Sequence, residues 1–147
     1  MKAMLLFLVT TVFLLYVTAF AMKAHAENLQ NCDETSFNKR TEFECYRSLA
    51  EQGSAEAQFI LGTMYLGGQG VSQNDAQTLA WYRKAADQGH AAALYFLGTM
   101  YAAGQSVPQD DAQAIIWYRK AAAQGHKAAQ LELEWIYNHG RGISHSK

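Results

Sequence analysis

The chain has 147 residues, with 12 basic and 13 acidic side chains, and half of its residues are hydrophobic. A near-neutral balance without a Lys/Arg block leaves no electrostatic footprint for a nucleic acid. The length suits one domain with a modest core.

Lys2, an apolar run over residues 4–22 broken only by threonines, and the triplet Ala24-His25-Ala26 follow one another at the amino end. A basic start, an apolar stretch and a small-x-small site together read as a secretory signal peptide, cleaved after Ala26. A retained membrane anchor is the alternative, because the apolar run approaches the length of a membrane span. A lipoprotein fits poorly, since Asn31 rather than a small residue precedes Cys32 and the pair lies well beyond the apolar run. Cleavage removes Lys2 and Lys23 and no acid, leaving 10 basic against 13 acidic residues and a formal charge of −3.

Cys32 and Cys45 are the only cysteines. Export would place them in an oxidising compartment, where they are expected to form a disulfide. A closed metal site would need further Cys or His at close spacing.

From residue 38 onward the chain repeats itself at an offset of 36. Trp81-Tyr82-Arg83-Lys84-Ala85-Ala86 returns as Trp117-Tyr118-Arg119-Lys120-Ala121-Ala122, and Gly53, Gly89 and Gly125 keep the same spacing. A period in this range marks a solenoid of stacked helical units. Two helical stripes alternate within it. Ala57, Leu61 and Met64 recur as Ala93, Leu97, Met100 and as Ala129, Leu133, Ile136, at steps of four and three. Phe43, Tyr46 and Ala50 recur as Leu79, Tyr82, Ala86 and as Ile115, Tyr118, Ala122, at steps of three and four. Both are the apolar stripe of an amphipathic helix.

In chain order the pattern predicts a second-type helix at 39–52, then first and second types at 54–66, 74–88, 90–103 and 110–124, and a last first-type helix at 126–139. Asn38, Asn74 and Asp110 stand as amino-terminal caps, with Gln77 and Gln113 three residues after the last two in capping-box spacing. Gly53, Gly89 and Gly125 close the second-type helices in the left-handed conformation. Gly67-Gly68-Gln69-Gly70 and Gly104-Gln105-Ser106-Val107-Pro108 are the turns between antiparallel partners. Gly62 and Gly98 are read as sites of close backbone approach by a neighbouring helix. Their counterpart Glu134 marks 126–139 as a polar terminal cap.

Ala55-Glu56-Ala57-Gln58, Leu61-Gly62-Thr63-Met64-Tyr65, Gly68-Gln69-Gly70-Val71 and Trp81 through His90, with their second copies, resemble Sel-1-like repeats, relatives of the tetratricopeptide repeat. The resemblance covers residues 38–143. It implies an all-α, right-handed superhelix of about six helices that presents a concave face to a partner protein. Bacterial members with signal peptides are similar to periplasmic adaptors and regulators, which implies a Gram-negative envelope. The organisation expected is therefore a signal peptide at 1–26, a segment at 27–37 tied by the disulfide, the repeat domain at 38–143 and a tail at 144–147.

The chemistry of catalysis is sparse. His90 and His126 recur at a helix junction, and no zinc signature, dinucleotide fingerprint or phosphate loop occurs. Nor is there a nucleophile elbow. Asp110 and Asp111 read as a cap and a first-turn acid. Glu132 and Glu134 point to different sides of their helix, and Trp81 and Trp117 read as packing residues. No cofactor or small-molecule substrate is implied. A cysteine-rich branch of the family is linked to β-lactam binding and hydrolysis, but it carries a cysteine pair in each repeat. A binding scaffold is favoured over that enzyme, with an immunity protein that neutralises a secreted toxic effector as the alternative in the binding class.

The variable positions of the first-type helices are the expected partner surface. Phe59, Tyr95 and Leu131 share one register position, and Thr63, Thr99 and Trp135 another four residues on, on the same helix face; the alternative is that Phe59 and Tyr95 pack between helices.

Overall fold

The computed structural model describes Cys32 and residues 38–139. The proposed signal peptide, most of 27–37 and the residues after 139 lie outside the described residues. Among the described residues six helices of 13 residues each follow in order: α1 Lys39–Glu51, α2 Ala55–Gly67, α3 Asp75–Asp87, α4 Ala91–Ala103, α5 Asp111–Ala123 and α6 Lys127–His139. Their packing runs mainly between successive helices. Odd-numbered helices are the second type of the repeat and even-numbered helices the first.

The ends are set by local chemistry. Asn38 accepts from the N–H of Arg40 and Thr41 at 3.0 and 2.9 Å. Asn74 and Asp110 accept from the N–H of Gln77 and Gln113 at 3.0 and 2.9 Å. These bonds satisfy donors that a helix start otherwise leaves open. The N–H groups of Asn74 and Asp110 themselves donate to the carbonyls of Tyr65 and Tyr101, at 3.0 and 2.9 Å. The return arm that the glutamines of a capping box would supply is thus taken by backbone of the preceding helix.

Gly89 has φ +81° and Gly125 +82°. At each, the following histidine N–H reaches back five residues, His90 to Ala85 and His126 to Ala121, both at 3.1 Å. This is the Schellman closure that a left-handed glycine permits.

Gly62 and Gly98 are approached closely by the following helix, first of all by an aromatic ring, with the Thr78 carbonyl also 3.4 Å from a Cβ at Gly62. A Cβ on Gly98 would lie 2.5 Å from two ring carbons of Tyr118, and one on Gly62 would lie 2.6 Å from the Tyr82 ring. Both tyrosines are buried. The glycine therefore opens the slot into which α3 and α5 each insert a phenol. At the third register position Glu134 is exposed, and no described helix follows α6. The same helix also exposes Leu131, Trp135 and Tyr137, so its outer surface is mixed rather than simply polar.

Gly98→Ala tests the slot. Alanine gains about 1 kcal/mol of helix propensity, while overpacking costs typically about 1–3 kcal/mol. The melting temperature should fall in Gly98→Ala and hardly change in Glu134→Ala. A more stable Gly98→Ala protein in thermal denaturation would show that the ring leaves room after all.

Both cysteines are disulfide-bonded, and since the chain has only two, the bond joins Cys32 to Cys45 of α1.

Candidate functional site

The first-type helices carry an aromatic strip along the face singled out in the sequence. Phe59 of α2 stacks on Tyr82 at 5.5 Å and on His90 at 4.8 Å, and lies 5.7 Å from Phe96. Phe96 meets Tyr95 edge to face at 5.5 Å, and Tyr95 in turn lies 5.7 Å from Tyr118 and stacks on His126 at 4.6 Å. Rings at these separations attract beyond their simple area burial. Phe59 and Tyr95 are half-buried and packed against the core, each leaving one part open to solvent.

The threonines are partly buried. Thr63 donates to the Phe59 carbonyl at 3.1 Å and shares a 3.2 Å hydrogen bond with the Tyr82 hydroxyl. Thr99 donates to the Phe96 carbonyl at 2.7 Å. Leu131 and Trp135 are the open end of the face, 66 and 45% exposed. Trp135 stacks on His139 at 4.6 Å.

Between the end of α4, the start of α5 and α6 lies a cavity of about 40 Å³. Tyr118 and Ile136 form its apolar part, Trp135 its rim, and Asp111 and Glu132 contribute carboxylates. Tyr95 touches Tyr118, so the strip from α2 and α4 continues to the cavity and Trp135. The structure thus connects Phe59, Tyr95 and Trp135, while Leu131 stands apart in solvent. Burial, and then the negative charge of Glu132, pushes the Tyr95 and Tyr118 phenols upward from the ordinary tyrosine range. The phenolate form is thus disfavoured at both positions.

Sequence reasoning missed the role of two histidines. His90 and His126 are the amino-terminal caps of α4 and α6: their Nδ1 atoms accept from the N–H of Ala93 and Ala129 at 3.2 and 3.3 Å. An accepting Nδ1 puts the proton of a neutral imidazole on Nε2. In His90 that Nε2 lies 2.8 Å from Glu56. The signal was present in the register, because Ser54 holds the same position and caps α2 through the N–H of Ala57 at 3.2 Å. The imidazoles thereby serve two ends, closing a helix start and stacking on the ring at position 59 or 95.

The opposite ends of the helices carry a second recurring contact. Arg83 donates to the Tyr101 hydroxyl at 3.0 Å, and 36 residues later Arg119 donates to the Tyr137 hydroxyl at 3.0 and 2.6 Å. Lys84 and Lys120 sit over the rings of Trp81 and Trp117, at 3.8 and 4.4 Å. The Arg–Tyr bonds join successive units, whereas each Lys–Trp contact lies within its own helix, α3 or α5. Among the described residues, no group of three or more His, Cys, Asp or Glu is placed to hold a metal ion.

Paired antiparallel helices that repeat every 36 residues, with an aromatic strip running across the first helix of each pair, define a helical-repeat solenoid. The chain belongs to the Sel1 repeat family, whose model matches residues 55–90 and 91–126. It is similar to the Sel1 repeat protein of Oxalobacter formigenes, with 34% identity and a TM-score of 0.74, covering 84% of this chain and 54% of that one. It is also similar to c5321, a protective antigen present in uropathogenic Escherichia coli strains, with 44% identity and a TM-score of 0.67 over 69% of this chain. The chain spans only 22% of the length of c5321. Cysteine-rich protein B of Helicobacter pylori, 22% identical with a TM-score of 0.64, shares the fold over 74% of this chain and 90% of its own. No curated protein matches. The fold is the all-α, right-handed solenoid of these repeats, a type that generally serves as a non-enzymatic scaffold for binding other proteins.

Proposed function

We propose that the chain is an exported scaffold or regulatory adaptor of the bacterial cell envelope, without enzymatic activity, that binds a partner protein along Phe59/Thr63, Tyr95/Thr99 and Leu131/Trp135. The observation that carries this reading is the aromatic strip from Phe59 to Tyr118, with the half-exposed Trp135 lining the same cavity as Tyr118. Aromatic side chains that are rigidly backed and open on one side are the usual energetic anchors of protein interfaces. Residues 1–26 support export, and the disulfide supports an oxidising compartment. A periplasmic location accommodates both.

Trp135→Ala and Tyr95→Ala should each weaken binding of the partner recovered by crosslinking in cells, by about 2 kcal/mol or roughly 30-fold in Kd. Trp135 is 45% exposed, so its truncation should leave helical content and melting nearly intact. Equal affinity in both variants, measured by calorimetric titration, would reject the groove as the binding surface.

A further inference from the structure

Three of the four exposed large hydrophobic side chains among the described residues, Leu131, Trp135 and Tyr137, sit on α6, and Leu131 is the most exposed of them. The repeat register shows which face Leu131 occupies. Ala55, Phe59 and Gly62 of α2 and Ala91, Tyr95 and Gly98 of α4 form the face covered by the following second-type helix, whose Tyr82 or Tyr118 ring fills the slot at the glycine. In α6 the same three positions are Lys127, Leu131 and Glu134, all exposed. The small residues that admit a helix of this chain are thus replaced by a cation and an anion on either side of an apolar residue. Neither Lys127 nor Glu134 forms an ion pair with another described residue.

We propose that this face binds the same face of a second copy of the chain, in an isologous dimer of antiparallel α6 helices. The charges decide for a second copy. Lys127 and Glu134 are seven residues apart, about 10.5 Å along the helix axis, on one stripe with Leu131 between them. A two-fold axis passing beside Leu131 reverses the order of the second helix, so that Lys127 of each copy meets Glu134 of the other while the two Leu131 side chains pack at the centre. The pattern is self-complementary in antiparallel order only, since a parallel pair sets like charge against like. Contact over about two helical turns is small beside the roughly 1,200–2,000 Å² of a stable interface, so the dimer is weak and concentration-dependent. Leu131 stands apart from the aromatic strip, and the dimer therefore goes beyond the groove reading and leaves Phe59, Tyr95 and Trp135 to the partner.

The test is sedimentation velocity of the protein as purified from cells, at concentrations from about 10 μM to about 1 mM, which bracket a weak Kd. The wild type should pass from monomer to dimer across this range. Lys127→Glu and Glu134→Lys change exposed side chains and should each weaken association by about tenfold or more, because the two-fold axis makes every charge act twice. An equimolar mixture of the two variants should associate again, since each then presents the charges that complement the other. A wild type that stays monomeric, single variants that associate as well as the wild type, or a mixture that does not recover would each overturn the proposal. Overhauser contacts from Leu131 to Ile143 within a monomer would overturn it as well, assigning the face to the chain's own tail. So would a monomeric wild type whose crosslinked envelope partner is lost in both charge variants, which assigns the face to that partner. Tyr95→Ala should leave the dimer intact, which separates failure of the groove from failure of the dimer.

Discussion

Tyr82→Ala is expected to lower stability by about 3–5 kcal/mol, the range for emptying a buried aromatic position. Tyr82 is 1% exposed and is among the largest fully buried side chains of the described residues. Its ring fills the slot over Gly62, stacks on Phe59 and leans on Phe96 at 5.7 Å, so one side chain joins α2, α3 and α4. Alanine leaves a void bounded by a glycine, which has no side chain to collapse into it. Each kcal/mol moves the midpoint by roughly 4–8 °C in a domain of this size, so melting should fall by about 12 °C or more. Tyr82→Phe keeps the ring and loses only the hydrogen bond to Thr63, at a cost of about 1 kcal/mol. Thermal unfolding followed by circular dichroism separates the two. Equal losses in both variants would mean that the hydroxyl, not the ring, holds the junction.

Reducing the Cys32–Cys45 disulfide, or replacing Cys45 with serine, should cost about 3 kcal/mol, from the entropy of opening a loop of this length in the unfolded chain. The bond spans 13 positions of sequence. In a solenoid each unit is stabilised mainly by its neighbours, so the loss should be concentrated at α1 and α2. Amide exchange should quicken there on reduction, while α5 and α6 keep their protection. An unchanged melting temperature after reduction would show that the bond carries no weight in the folded protein.

The helical order was legible in the sequence almost to the residue. The expected 74–88 is Asp75–Asp87 and the expected 110–124 is Asp111–Ala123, because Asn74, Asp110, Gly89 and Gly125 each impose a local geometry that needs no tertiary information. The candidate surface was legible as a register and not as a set of contacts. Spacing put Tyr95 and Trp135 on equivalent helix faces, but only the packing of α4, α5 and α6 joins them through Tyr118 and the cavity. The helix-capping histidines escaped because imidazole is not among the usual cap residues, and its tautomer is set by a backbone N–H in space. The ring over Gly98 escaped for a related reason. A glycine in a helical stripe announces close approach, and it does not say which atom approaches.

The most direct test of the account is site-specific photocrosslinking in living cells. A benzoyl-phenylalanine probe is placed in turn at Tyr95, at Trp135 and at Ile116, an exposed apolar position on α5. The account predicts that probes at 95 and 135 capture the same envelope protein and that the probe at 116 does not. Capture from 116 alone, or equally from all three positions, would contradict binding along the first-type helices.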